Sequence, residues 1–183
     1  MANRDNHYEA AFEAYLRERR LPYIAVDEAR RSLVPDGSLK SLDFIVYSQD
    51  GALLLVDVKG RRYPCGPTHR QRRVWECWST LDDVSGLEQW SRVFGDGYQG
   101  IFVFSYHVLP TVTLPADVED LWTWRGKRYL LRAVGVEDYR RNMRVRSPMW
   151  NTVFLASASF RELARPFLEF LQPRQPIAEE CPF

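Results

Sequence analysis

The chain has little of what marks several specialised classes of protein. Its 183 residues contain three cysteines, Cys65, Cys77 and Cys181, and this odd number at irregular spacing argues against a disulfide framework. No apolar run reaches the length of a membrane span, and the polar start of the chain lacks the apolar segment of a signal peptide. The ten glycines are scattered and form no phosphate-binding loop. We therefore expect a cytoplasmic protein with no membrane partner.

Lysine is also scarce, although positive charge is not. Of the 25 basic residues only three are lysines, Lys40, Lys59 and Lys127, so a lysine marks a position where a compact ammonium does what a flat guanidinium cannot. The 24 acidic residues almost balance the total, but the segments 58–75 and 139–148 carry six and four basic residues and no acid. These segments are either solvated basic surfaces or parts of a positively charged groove for phosphates.

Apolar side chains, by contrast, are plentiful. They make up 45% of the sequence, and the aromatic residues alone make up 14%. This is enough for one sizeable core, and the length favours a single domain over residues 1–183. We divide this domain into a core at about 5–108, an extension at about 109–171 and a tail at 172–183.

Hydrophobic periodicity predicts an α/β (α+β) fold in which helices flank a mixed sheet. The core is predicted to run helix, three strands, helix, strand, over segments 6–20, 23–26, 42–48, 52–59, 79–94 and 99–108. The extension is predicted to add a hairpin turning at Gly126, a helix at 136–144, a strand at 152–156 and an amphipathic helix at 159–171. Segment 52–59 is apolar on both faces, so we expect it to be a central, covered strand.

A carboxylate interrupts this covered strand at Asp57, where an unpaired charge would cost several kcal/mol. A three-residue loop at 49–51 would place Asp43 of the preceding strand opposite Asp57, with Cβ atoms roughly 5 Å apart. A two-residue loop would instead put the two aspartates on opposite faces. Lys59 follows two residues after Asp57 and shares its face.

Two facing carboxylates repel each other unless a positive group lies between them. One interpretation is a site for Mg²⁺ or Mn²⁺, with Lys59 beside it to orient or deprotonate a water. The other is a structural ion cluster of Asp43, Asp57 and Lys59. Glu9 and Glu13, at i and i+4 of the first helix, could either reach such a site or form a solvated helix face.

These residues resemble the motif of a known family. A glutamate on the first helix, Asp43 opening a strand and Asp57-Val58-Lys59 ending the next resemble the PD-(D/E)XK nuclease superfamily, and in spacing its Holliday-junction-resolvase-type members. Leu42 and Asp57 stand where many members have proline and glutamate. The string His7–Glu13 also resembles the label of the uncharacterised bacterial HYExAFE proteins. The resemblance covers roughly the predicted core and implies a restriction-endonuclease-like αβββαβ arrangement, extended here by a C-terminal hairpin and helix.

The resemblance also implies a function. It predicts a metal-dependent endo- or exonuclease that hydrolyses phosphodiester bonds in DNA, and many members are homodimers. Asp43, Asp57, the carbonyl of Val58 and Glu9 or Glu13 would bind Mg²⁺ or Mn²⁺, and Lys59 would assist the nucleophilic water. Gln89 and His7 are further candidates. The alternative is a nuclease-like fold that binds nucleic acid without cleaving it.

Basic and aromatic residues follow the predicted catalytic strand. Five arginines are candidates for contacts to backbone phosphates: Arg61, Arg62, Arg70, Arg72 and Arg73. Trp75 and Trp78 could stack on bases, although aromatic residues at this spacing are more typical of a core.

Overall fold

The computed structural model describes residues 6–26, 33–34, 37–38, 42–48, 51–114, 118 and 120–172. The predicted loop residues Gln49 and Asp50 and the predicted tail from residue 173 onward lie outside this part. The helices are α1 (His7–Glu18), α2 (Leu81–Phe94), α3 (Val136–Asn142) and α4 (Ser157–Leu163), with 3-10 turns at Thr68–Arg70 and Phe167–Leu171. The strands are β1 (Tyr23–Ala25), β2 (Leu33–Val34), β3 (Gly37–Ser38), β4 (Phe44–Tyr47), β5 (Leu53–Tyr63), β6 (Ser79–Thr80), β7 (Tyr98–Val108), β8 (Trp122–Trp124), β9 (Lys127–Gly135), β10 (Met143–Ser147), β11 (Thr152–Leu155) and β12 (Arg165–Pro166).

A seven-stranded mixed sheet organises the chain. Its order is β1-β4-β5-β7-β9-β12, and β8 pairs with β9. Only one of these pairings is parallel, between the two long strands β5 and β7, which α2 connects. Parallel neighbours need such a crossover, because a hairpin can only join antiparallel strands. The predicted order of core elements, α1, β1, β4, β5, α2 and β7, is confirmed.

The sheet separates two apolar layers. On one face Phe12 and Leu16 of α1 pack against the side chains of Val56 and Val58. On the other face Leu55 packs in the layer that includes Val84 and Leu87 of α2. Asp57 follows Leu55 by two residues in β5, so its side chain lies on this same face. Because both faces of the sheet are covered, side chains on both sides of β5 can be apolar, without the alternation typical of a strand with one face in water. The prediction of a central, covered strand is confirmed.

The extension builds on the core sheet. β8 and β9 form the hairpin predicted around Gly126, and β9 pairs with β7 from Ile101 to Val108. A second hairpin, β10 and β11, pairs instead with the short strand β6 to form a separate three-stranded sheet. Since β6 runs directly into α2, this sheet is attached to the start of that helix.

The amphipathic helix predicted at 159–171 is wrong over its second half. α4 ends at Leu163, and Arg165 and Pro166 form β12 instead. Proline has no N–H for a helical hydrogen bond and biases the preceding residue toward extended backbone. The extended segment pairs with β9, which places Phe167 and Leu171 in the apolar layer beneath α1.

None of the helices in the described ranges is both long and apolar enough to cross a bilayer.

Candidate functional site

The β4–β5 hairpin brings two aspartates together. Its pairing runs from Tyr47 opposite Leu53 to Phe44 opposite Val56, which is the register that a three-residue loop predicts. One step further, the chain bends at Asp43, whose N–H donates to the carbonyl of Val56 at 2.9 Å. The ladder ends there, so the Asp43 carboxylate accepts from the N–H of Val58 at 2.6 Å. Asp43 and Asp57 are 6% and 8% exposed.

Lys59 lies between two carboxylates. Its Nζ is 2.8 Å from Asp57 Oδ2 and 3.1 Å from Asp83 Oδ2, and it lies 5.8 Å from the centre of the Phe102 ring. Burial opposes the positive charge, but the two carboxylates outweigh it and raise the pKa of Lys59 above its ordinary value. The amine is therefore an ammonium at neutral pH.

Asp83 is a member of this group that the sequence interpretation missed. It lies in the first turn of α2, where its Oδ2 accepts from the Thr80 N–H at 2.9 Å and from the Ser79 hydroxyl at 2.8 Å. Thr80 caps the helix in return, so the two residues form a reciprocal capping box. Two signals in the sequence were available. Thr80 precedes Asp83 at capping-box spacing, and Asp83 lies four residues before the inward-facing Leu87.

Negative charge accumulates around Asp43. Burial raises the pKa of its carboxyl well above the ordinary value, and the charges of Asp57 and Glu9 raise it further. The Val58 N–H and the Lys59 ammonium oppose this rise without cancelling it. The carboxylates therefore provide an environment that favours an added cation.

This imbalance predicts how stability depends on pH. Because the folded-state pKa of Asp43 is raised, folding is penalised as pH rises through that value, and the penalty vanishes below the ordinary pKa near 4. In the presence of a chelator, we expect Asp43→Asn to raise the free energy of unfolding at pH 7 by about 1 kcal/mol, or about 2–4 °C in melting temperature. The side-chain carbonyl of asparagine can still accept from Val58.

Thermal unfolding at pH 7 and near pH 4 measures this effect, with Asp82→Asn as the control because Asp82 is exposed in the same turn as Asp83. The stabilisation should shrink at the lower pH. An Asp43→Asn protein that is less stable than the unaltered chain at pH 7 would contradict the expected charge repulsion.

The start of α1 contacts β5 at Gly60, a position without a side chain. The ring of Tyr8 occupies the space beside Gly60 where a side chain would lie, and a Cβ built there would overlap that ring. Glycine at this position therefore lets the start of α1 contact the strand next to Lys59. Glu9, in the same turn, accepts from the Asn6 amide at 2.6 Å and lies close enough to influence Asp43. Of the two glutamates predicted, the structure brings Glu9 toward the aspartates.

Glu13 points to other partners. Its Oε1 accepts from Arg17 at 2.7 Å and from the Tyr23 hydroxyl at 2.9 Å. These contacts tie the helix to β1, so a role for Glu13 as a metal ligand stays a prediction without geometric support.

The predicted arginines divide into two kinds. The Arg61 guanidinium is buried, donates to the carbonyls of Gly60 and Trp78, and lies 4.0 Å from the centre of the Trp78 ring. Its two terminal nitrogens are thus engaged within the protein, while Nε is buried with no hydrogen-bond partner among the described residues. The other four are exposed on or beside the loop after β5: Arg62, Arg70, Arg72 and Arg73. A backbone bridge between Cys65 and Arg72 holds this loop.

The two tryptophans after this loop also differ. Trp75 stacks on Tyr63 with ring centres 3.7 Å apart, as expected of a core residue. Trp78 lies between Arg61 and Arg146, whose guanidinium is 4.9 Å from the ring centre. Both rings are therefore already stacked within the protein.

The two further candidates, Gln89 and His7, are not brought to the aspartates. Gln89 is exposed six residues after Asp83, which is about 9 Å and 240° further along the helix. The Nδ1 of His7 is 3.0 Å from the Tyr129 hydroxyl, in the apolar layer of the α1 face. Burial and the charge of Lys127 lower the pKa of its imidazole, so it is neutral at pH 7.

The donor set fits a hard divalent cation. Among the described residues, no three His, Cys, Asp or Glu side chains form a group that would enclose a metal ion by themselves. Mg²⁺ does not need such a cage, because it is commonly held by one or two carboxylates with water and substrate phosphate completing its ligands. Asp43 and Asp57 supply two carboxylates, and the nearby charges of Asp57 and Glu9 make the surroundings of Asp43 favourable for a cation.

Comparison with solved structures identifies the architecture. The structure is similar to that of Hjc, a Holliday junction resolvase from Archaeoglobus fulgidus, an archaeal hyperthermophile, with a TM-score of 0.51 and 11% sequence identity. The likeness covers 92% of this chain and 97% of that chain. The fold is restriction-endonuclease-like. No family model and no curated protein matches the chain, so the likeness lies in the fold rather than in the sequence.

The restriction-endonuclease-like fold confirms the predicted fold class. It also supports the predicted resemblance to PD-(D/E)XK nucleases at the level of architecture. In this fold Asp43 and Asp57 lie at the end of the β4–β5 pairing, and Lys59 contacts Asp83 on the face of the sheet that α2 covers.

Proposed function

We propose that this protein is a metal-dependent nuclease that hydrolyses phosphodiester bonds in DNA. One observation carries the proposal: on neighbouring strands of a restriction-endonuclease-like sheet, two buried aspartates interact electrostatically and an ammonium group lies beside them. The solved structure that this chain resembles belongs to a protein named as a Holliday junction resolvase, which supports the same reaction class.

Asp43 and Asp57 are the residues that would hold Mg²⁺ or Mn²⁺. The carbonyl of Val58 and the carboxylate of Glu9, directly or through water, would complete the protein ligands. When bound, the cation would supply positive charge for the phosphate and a more acidic water. The Val58 N–H orients the Asp43 carboxylate. Val58 would therefore contribute through both of its backbone groups, the N–H and the carbonyl.

Lys59 has the role of a proton-bearing donor. An ammonium has three N–H groups, and within the described residues two of them are directed at Asp57 and Asp83. The third can donate to the attacking water or to a phosphoryl oxygen as negative charge develops there. Because the two carboxylates raise the pKa of Lys59, we assign it electrostatic stabilisation rather than general-base catalysis.

Exposed arginines provide the contacts to the substrate backbone. Arg62, near the end of β5, and Arg70, Arg72 and Arg73 of the following loop have exposed side chains. Guanidinium groups match phosphate geometry. Arg61 is left out of this set, because its guanidinium is used within the protein. A homodimer in the cytoplasm stays part of the proposal on the resemblance alone.

Divalent-dependent cleavage tests the function. Labelled single-stranded, duplex and four-way branched DNA, with RNA of the same sequence, would be incubated with Mg²⁺, Mn²⁺ or a chelator. We expect cleavage of DNA only with a divalent cation. Specific cation binding should also stabilise the folded protein, by about 2.7 kcal/mol at a hundred times the dissociation constant. The absence of both cleavage and a thermal shift with every cation tested would overturn the proposal.

The second candidate function is nucleic-acid binding without cleavage. The exposed arginines favour it independently of the aspartates, since phosphate contacts need no metal. It predicts binding that weakens with salt, together with intact DNA under every cation. The same set of substrates therefore separates the two functions.

A further inference from the structure

The β10–β11 hairpin exposes large apolar side chains. In this hairpin, spanning 143–155, Val145, Met149 and Trp150 are 66%, 86% and 73% exposed. Single exposed apolar residues are normal on a protein surface, but three in one hairpin form a patch that typically marks an interaction site. Trp150 is the largest of them, and it lies in the turn between the two strands.

The same hairpin is positively charged. The hairpin 143–155 contains two arginines, Arg144 and Arg146, and no acid. Arg146 has an acidic partner, Glu76, at 3.8 Å. Arg144 is exposed on β10 and makes no ion pair within the described part of the chain. The hairpin therefore presents an exposed indole in its turn and an exposed guanidinium on β10, which together complement a ligand with flat and anionic groups.

The hairpin is held against the helix that positions Lys59. Thr152 of β11 pairs with Thr80, the cap of α2, and the Leu81 N–H donates to the carbonyl of Asn151 at 2.9 Å. Three residues beyond the cap, Asp83 contacts Lys59. The turn is closed by a bond from the Asn151 N–H to the carbonyl of Pro148 at 3.3 Å.

A second contact anchors the other strand of the hairpin. Arg146 of β10 packs on one ring face of Trp78, and Arg61 of β5 packs on the same indole at 4.0 Å. The strand β10 is therefore held beside β5 through Trp78, and the turn is held at the start of α2. A polymer that lies along the hairpin could reach the strand that carries Asp57 and Lys59.

We propose that the β10–β11 hairpin is a binding site for unpaired nucleotides, in which Trp150 stacks on a base and Arg144 contacts a phosphate. In a duplex the base faces are already stacked, so an exposed indole gains a stacking partner only from an unpaired base. The proposal rests on the proposed function, because the strand bound here is a substrate of the nearby site. It assigns to that site a preference for DNA with a single-stranded segment.

Equilibrium binding in the presence of a chelator tests this without requiring cleavage. The full chain would be titrated into a labelled duplex with an oligothymidine tail and into a blunt duplex. Trp150→Leu keeps an apolar side chain but removes the aromatic face, whereas Trp150→Phe keeps a face. Phe94→Leu is the matched control, since Phe94 is a partly exposed aromatic residue at the far end of α2.

We expect Trp150→Leu to weaken binding of the tailed duplex about tenfold, and Trp150→Phe and Phe94→Leu to change it less than about threefold. Affinity for the blunt duplex should not change. Arg144→Gln should reduce the slope of log affinity against log salt by about 0.7, the contribution of one phosphate on a single strand. Unchanged affinity of Trp150→Leu, or equal loss on both duplexes, would overturn the proposal.

Two other outcomes are distinguishable. If Trp150→Leu changes sedimentation from dimer to monomer without altering DNA affinity, the patch is an interface between copies of the chain and the proposal fails. If the unaltered chain cleaves no DNA but Trp150→Leu still weakens binding of the tailed duplex, the nuclease assignment fails and the binding site stands.

Discussion

Asp57→Asn is expected to lower the rate of DNA cleavage by about a thousandfold or more, the largest effect of any change considered. Asparagine has nearly the same shape as aspartate, so the buried strand should keep its packing. The substitution removes one of two carboxylates that would hold the cation and one of the two partners of the Lys59 ammonium. The weaker cation binding and the less firmly held ammonium both reduce stabilisation of the reacting phosphate. The proposed mechanism contains no other group that would replace them.

Single-turnover cleavage of labelled DNA in Mg²⁺ measures this effect. Asp82→Asn, an exposed aspartate changed in the same way, should cleave at the unaltered rate. Binding of DNA in the presence of a chelator should be the same or tighter in Asp57→Asn, because a negative charge has been removed near the phosphates. A folded Asp57→Asn protein that cleaves within tenfold of the unaltered chain would rule out the assigned site.

Asp83→Asn is expected to affect both stability and cleavage. Asp83 is buried and contacts Lys59 at 3.1 Å, so its loss removes half of the carboxylate compensation of a buried ammonium. We expect a loss of about 2 kcal/mol in the free energy of unfolding. This is less than the cost of leaving a buried charge with no partner at all, because Asp57 still pairs with Lys59. Asparagine can still accept from Thr80, so the helix cap is largely kept.

The pH dependence of this stability loss follows from Lys59. Because its folded-state pKa is raised above the ordinary value, its ion pairs contribute fully below that ordinary value, near 10.4, and are lost as pH rises through the raised pKa. The difference in stability between Asp83→Asn and the unaltered chain should therefore be constant from pH 7 to pH 9. A difference that disappears within this range would contradict a charged Lys59.

Asp83 acts on the reaction through Lys59 and is therefore a positioning residue. We expect Asp83→Asn to lower kcat by about 10–100-fold with little change in KM, since the ammonium is less well held while the phosphate contacts are intact. The alkaline limb of the pH–rate profile should move to lower pH, because Lys59 loses a carboxylate partner. Ser79→Ala, which removes only a hydrogen bond to Asp83, should give a smaller change in the same direction. An unmoved alkaline limb would show a purely structural role.

Local sequence was sufficient for the central part of the site. Asp43 and Asp57 belong to one hairpin, so a single loop length determined their register, and the observed pairing of Phe44 with Val56 agrees with it. The helix stripe that predicted α1 is likewise buried at Phe12 and Leu16. In both cases the residues that interact lie within about fifteen positions of one another, where backbone periodicity decides which side chains share a face.

Local sequence was not sufficient where contacts join distant segments. Arg61 belongs to a basic run that reads as a phosphate surface, yet its guanidinium is buried against Trp78. Glu9 and Glu13 share one side of α1, and only tertiary contacts distinguish them: Glu13 accepts from Tyr23 of β1, whereas Glu9 lies near Asp43. Segment 159–171 is apolar at helical spacing, but Pro166 and the open edge of β9 convert part of it to a strand.

The amino-acid sequence by itself determined the central strand and placed Lys59 on the same face as Asp57, because these depend on alternation within one strand. It left two registers for Asp43, and the observed pairing is the one that a three-residue loop predicts. Only the tertiary structure decided that Asp83 holds Lys59 and that the exposed turn at Trp150 lies near the same helix. Those contacts form because α2 returns across the sheet and β11 pairs with β6, the strand directly before that helix. The physical reason is that packing between distant segments depends on the shape of the whole sheet, which no spacing within a short stretch encodes.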